Sequence, residues 1–212
     1  MQVTIDPSLD ADADLRAAVA ARAPLLDNIF NGTATAEWRK GTNWEGKPVA
    51  QLRLSDATGA RAGADLLPFE FLSPDKLEAK FRDLRDAFQI VRDWRAAVAE
   101  LFATIRPWCE SLPGNPRVHE EPLCMIEGES GEYETTQLVV MRGRWTLHIK
   151  PVAAWVVGWD GMIGMNGPGD RYMLYYSRAK NAWFHTPNNL PYRELLLTEA
   201  LFRKLAGDAL DG

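Results

Sequence analysis

The strongest pattern of apolar and polar positions begins at Ser73-Pro74. Apolar residues recur at Leu77, Phe81, Leu84, Phe88, Val91, Trp94, Val98, Leu101, Ile105 and Trp108, in steps of four and three. That spacing keeps one face of an α-helix apolar. Two three-residue steps meet near Val91 and Trp94, a stammer in an otherwise heptad-like stripe. Ser73 suits the N-cap and Pro74 the first helical position. Pro107 is expected to stop the helix. At ~1.5 Å per residue such a helix spans roughly 50 Å, well beyond the mean globular length. Its stripe either packs on the protein's own sheet or forms a seam with another helix, including that of a second copy.

Upstream, Met1 to Asp6 reads as a short strand. Asp14 to Phe30 reads as a helix interrupted near Pro24 and ended by Asn31-Gly32. Ala34 to Arg39 and Val49 to Ser55 read as strands joined into a hairpin by the turn formers of Gly41 to Pro48, followed by a loop over Asp56 to Gly63. Downstream, Ser111 to Pro122 reads as a linker and Glu127 to Glu134 as an acidic loop. Strands are then expected at Thr135 to Met141, Arg144 to Lys150, Val152 to Trp159, Met162 to Met165, Arg171 to Ser177 and Ala182 to Thr186, with short turns between them. Short connections imply a meander of antiparallel neighbours. Thr198 can cap a last helix carrying Leu201, Phe202, Leu205 and Leu210.

The order predicts an α+β fold. It comprises a small N-terminal α/β lobe with a β-hairpin (1–72), one long amphipathic helix (73–110), and an antiparallel β-meander with a closing C-terminal helix (117–212). The long helix could also lie across the sheet and join all three into one core.

Composition narrows the function more than it names it. The 212 residues are 46% hydrophobic and 25% charged, an ordinary globular balance. A net charge of −5 argues against gripping nucleic acid or anionic membranes through the whole surface, while leaving room for a local basic patch. No apolar run reaches the length of a bilayer span; the longest, Val152 to Trp159, is strand-length. The first residues lack a basic stretch followed by an apolar one, so no signal peptide is expected, and cytoplasm with reduced Cys109 and Cys124 is the simplest location.

Among candidate sites, Arg142, Arg144, Thr146, His148 and Lys150 share one parity and Trp145, Leu147 and Ile149 the other. Period-two geometry would raise the first set as a cationic ridge opposite an apolar face. The ridge suits an acidic partner, a phosphate or a nucleic-acid backbone, and equally an ordinary solvated sheet face. Glu120, Glu121, Glu127, Glu129, Glu132 and Glu134 form an acidic segment without EF-hand spacing, read as a solvated loop. His119, His148, His185 and the two cysteines lack the paired spacing of a zinc site. Asp75 with Glu78 and Lys80, and Asp27 with Glu45 and Lys47, carry nuclease-like letters in unsuitable places: a helix and a hairpin turn. The glycines between Gly158 and Gly169 match no phosphate-binding loop. Trp155 and Trp159, expected on one strand face, could anchor an interface.

These readings lead to an expected non-catalytic protein-interaction subunit, adaptor or accessory factor, with a protein partner, or a second copy through the 73–108 helix, and no metal, cofactor or membrane. Two alternatives stay open. One is a hydrolase or nuclease using His148 or His185 with a Glu of 120–134. The other is a nucleic-acid-binding accessory using the ridge from Arg142 to Lys150.

Overall fold

A computed structural model describes residues 2–7, 13–32, 34–42, 44–55, 61–66, 73–127, 131–187 and 193–211. The elements in order are β1 (Gln2–Ile5), α1 (Ala13–Phe30), β2 (Thr35–Thr42), β3 (Pro48–Ser55), β4 (Arg61–Leu66), α2 (Pro74–Glu110), β5 (Arg117–Glu127), β6 (Gly131–Arg142), β7 (Trp145–Ala153), β8 (Met162–Asn166), β9 (Arg171–Ser177), β10 (Ala182–His185), β11 (Leu195–Leu196) and α3 (Glu199–Leu210). The α+β class, the long helix, the meander and the closing helix are all present. The chain forms two units, Met1–Arg92 with Met125–Glu134, and Asp93–Cys124 with Thr135–Gly212.

In the first unit β1 pairs parallel to β2, with α1 as the connection that a parallel pair requires. β2, β3 and β4 continue the sheet antiparallel. Alternation on β2 buries Ala36 and Trp38 and exposes Thr35 and Glu37. The Trp38 ring meets Phe81 of α2 edge-on at 6.2 Å, and Phe30 of α1 meets Phe88 at 6.4 Å. The helical stripe is thus buried within the chain here.

In the second unit the sheet order is β11-β10-β9-β8-β7-β6-β5. One face carries Leu138, Val140, Leu147, Ile149, Ile163 and Leu174, all fully buried. Cross-strand pairing puts them side by side: Leu138 opposite Ile149, Val140 opposite Leu147, and Ile163 opposite Leu174. Burial of a side chain of this size contributes ~1.5–3 kcal/mol. Both helices of the unit lie on this face. Trp94 of α2 packs on Trp183 of β10 at 5.8 Å, and Trp108 packs on Phe202 of α3 at 5.7 Å. Thr198 caps α3, its hydroxyl accepting from the Leu201 amide.

Two glycines let the end of α3 dock. A β-carbon at Gly167 would overlap the carbonyl oxygen of Ala209, and one at Gly169 that of Asp208. The Gly169 amide instead donates to the Ala209 carbonyl at 3.0 Å, satisfying one of the carbonyls a helix end leaves unpaired.

Several expectations need correction. Pro24 does not interrupt α1, which runs through it with Val19 and Leu26 buried on either side. Nor does Pro107 stop α2; burial of Cys109 and packing of Trp108 hold a further turn to Glu110. The linker over 111–122 is strand from Arg117, an edge strand whose side chains are only half-buried or exposed and so show no apolar alternation. Pro122 is tolerated there because an edge has one unpaired side. The acidic loop over 127–134 is instead the end of β5 and the start of β6, with Tyr133 buried and donating to Glu127 at 2.9 Å; 128–130 lie outside the described residues. Of the loop over 56–63, residues 61–63 belong to β4 and 56–60 lie outside the described residues. The strand expected over Val152 to Trp159 ends at Ala153, after a register shift next to Pro151. β11, two residues long, has no periodicity to read.

Candidate functional site

The β6–β7 hairpin decides where the cationic ridge lies. Arg142 pairs with Trp145 across the turn Gly143-Arg144, and Gly143 takes a φ of 60°. Paired residues share a face, so Arg142 sits on the helix-covered side with Trp145, opposite to Thr146, His148 and Lys150. It forms an ion pair with Asp211, just past α3. Arg144 occupies the turn itself, its guanidinium 4.3 Å from the centre of the Trp145 ring. Parity counted straight through a two-residue turn fails because the chain reverses there. The ridge is therefore shorter than expected: Thr146, His148 and Lys150.

Strand register extends this remnant across the sheet. His148 stands opposite Val139 of β6 and Asn166 of β8, and Asn166 opposite Arg171 of β9. Lys150, two residues along, stands opposite Gly164, which faces Met173. Lys150 and Arg171 are exposed, while His148 and Asn166 are half-buried. Among the described residues neither Lys150 nor Arg171 has a carboxylate partner, whereas Arg178 pairs with Asp93, Lys180 with Glu194 and Arg203 with Glu199.

Toward the β5 edge the same face becomes a hydrogen-bonded row. His119 and Glu121 lie two apart on β5 and meet at 3.0 Å. The second oxygen of Glu121 accepts from the Gln137 amide at 3.0 Å. The His119 bond first, and the Gln137 bond and the nearby His148 with it, hold the Glu121 carboxyl below its ordinary range against a smaller opposing effect of burial. His119 and Glu121 fall inside the stretch read as a linker, so His-x-Glu on one strand face was not recognised; period two was the available signal. Glu120 points the other way and pairs with Arg106 of α2. Of the remaining acidic residues, Glu127 accepts from Tyr133, Glu134 is exposed on β6, Glu129 lies outside the described residues, and no side-chain position is described for Glu132.

His185 is elsewhere. It lies buried on the covered face, its Nδ1 3.1 Å from the Met173 carbonyl and its ring edge-on to Tyr172 at 5.6 Å. Tyr172 donates to Asp170 at 3.1 Å, and burial first, then the carboxylates of Asp170 and Asp208, push its hydroxyl up to about 12. The structure does not bring His185 together with His148 or Glu121. Cys109 is buried, its thiol pushed up to about 12 chiefly by burial, and Cys124 is exposed. Among the described residues no three His, Cys, Asp or Glu side chains are grouped to hold a metal ion. Glu45 and Lys47 pair with each other in the β2–β3 turn, and Glu78 with Arg82 on α2.

Trp155 and Trp159 do not share a strand face. They belong to a small turn between β7 and β8, closed by reciprocal hydrogen bonds between Val156 and Trp159 at 3.2 and 3.0 Å, with Gly158 at a φ of 84°. Trp159 folds back over the uncovered face, 5.4 Å from Tyr175 and 5.6 Å from Phe184. Trp155 and Val157 project into water, 66% and 88% exposed.

No protein-family model matches the chain, no curated protein matches it, and no solved structure matches its fold. No helix among the described residues is long and apolar enough to cross a membrane.

Proposed function

We propose that the chain is a non-catalytic protein-interaction subunit of a cytoplasmic assembly, meeting its protein partner through the sheet face that its own helices leave uncovered. The observation that carries this reading is the turn from Trp155 to Trp159, which holds Trp155 and Val157 in water while Trp159 pins it to Tyr175 and Phe184. Single exposed apolar residues are ordinary. Two on one anchored turn, beside a stack of three rings, form a preorganised anchor that loses little freedom on docking. The stripe of α2 offers less to a partner, since it is buried along its length from Leu77 to Ile105.

The test is capture of partners from the native cell after nuclease treatment, comparing the full chain with a Trp155→Ala/Val157→Ser variant of unchanged circular dichroism and melting temperature. The expected result is a stoichiometric protein partner held by the parent chain and lost by the variant. Equal retention of every partner by the variant, or recovery of the parent chain alone, refutes the reading.

A further inference from the structure

The uncovered face of the second unit has two halves of different chemistry. One half is polar and cationic: His148 and Lys150 on β7, Asn166 on β8 and Arg171 on β9. The other is aromatic, with Tyr175 on β9 under Trp159. Arg171 and Tyr175 lie on the same face of the same strand, so the halves adjoin.

Lys150 and Arg171 have no carboxylate partner among the described residues. On this face Glu121 of β5 has each oxygen engaged, one with His119 and the other with Gln137. From His148 to Arg171 is two strand spacings, ~10 Å, and from His148 to Lys150 two residues, ~7 Å. An extended peptide repeats its side chains on one face every ~7 Å. Alternate acidic residues on such a segment match His148 and Lys150 along β7, while Arg171 and, four residues further on, Tyr175 of the ring stack lie on β9, two strands to one side.

We infer that the partner offers this face an acidic polypeptide segment that carries an apolar residue beside its carboxylates; this rests on the interaction reading above. The net charge of −5 opposes an acidic partner only at long range. At physiological salt, fields fade over ~8 Å, so at contact the local cations decide. A nucleic-acid strand is the poorer match: Lys150 and Arg171, unpaired among the described residues, with the imidazole of His148 fall short of the run of phosphate contacts that such binding uses, and Glu121 would oppose it.

The test is fluorescence anisotropy on the full chain with three labelled peptides of common length. Each carries the same terminal Leu-Trp and differs only in alternating residues: Glu, Gln or Lys. Oligothymidine is the fourth probe. The acidic peptide should bind at least roughly ten-fold tighter than the Lys peptide and weaken as salt rises. A Lys150→Glu/Arg171→Glu variant, with its melting temperature checked, should reverse that order. Equal binding of all three peptides, an unreversed order in the variant, tighter binding of oligothymidine, or no peptide binding overturns the inference. Failure of the interaction reading shows separately, as partner capture indifferent to the Trp155/Val157 change.

Discussion

On β7, Leu147 and Ile149 turn to one side of the sheet and lose all contact with water, while Thr146, His148 and Lys150 turn to the other and keep it. The same strand, with the same backbone bonds, thus builds a core on one side and a surface on the other. On the covered side Arg142, just before the turn, is neutralised by Asp211, and two glycines shape themselves to the end of α3. On the open side Lys150 and Arg171 stand unpaired among the described residues, and a tryptophan turn reaches outward. The fully buried apolar residues of β7 all lie on the first side, while the second buries fewer, Val139 and Phe184 among them. Substitutions should therefore differ sharply between the faces.

The largest effect is expected from Ile149→Ala, a loss of ~2–5 kcal/mol in urea unfolding, because it opens a cavity on the helix-covered face, where Ile149 is fully buried. A loss within 0.5 kcal/mol would mean that the covered face is not the core. Gly167→Ala should cost ~1–3 kcal/mol, since the new β-carbon must displace the backbone of α3 rather than a flexible side chain. Thiol labelling separates buried from exposed next. Cys109, raised from 9.0 to about 12, carries on the order of a thousandfold less thiolate than an ordinary cysteine at pH 8. Native protein should therefore label once, at Cys124, and denatured protein twice; a native count of two would contradict the burial of Cys109.

The smallest effects belong to the open face. Glu121 is held below the ordinary carboxylate value of 4.5. Its pairing thus favours the folded state above that value, and the benefit disappears as pH falls through the lowered one. An NMR titration should place its midpoint below 4.5 and show it rising in His119→Ala; an unmoved midpoint would deny the pairing. Lys150→Ala should alter stability by less than ~0.5 kcal/mol, and a larger loss would bring the open face into the core.

How much of this was legible in the sequence follows from the same physics. The long helix was readable because a stripe repeated over ten apolar residues has few alternatives. The meander was readable because its turns carry glycine and asparagine where the backbone needs them, as at Gly143 and Asn181. Edge strand β5 was not: half-buried and exposed positions alternate from His119 to Glu127, but the half-buried ones mix His119 and Glu121 with Leu123 and Met125, so polarity does not follow the alternation. The site residues were the least legible. Arg142 and Lys150 look alike in a parity count, and only the reversal at Gly143-Arg144 sends them to opposite faces. Trp155 and Trp159 looked like strand, since nothing local announces the register shift after Pro151.

The connectivity of the second unit carries a kinetic consequence. From β5 to β10 every strand pairs with its neighbour in the sequence, so order can spread from hairpin to hairpin, each closing only a short loop. Contacts such as Trp94 against Trp183 join residues far apart in the chain and can form only once that zipper has closed. Those two indoles would then report the last event in the assembly of the unit, and their fluorescence should lag behind the appearance of strand.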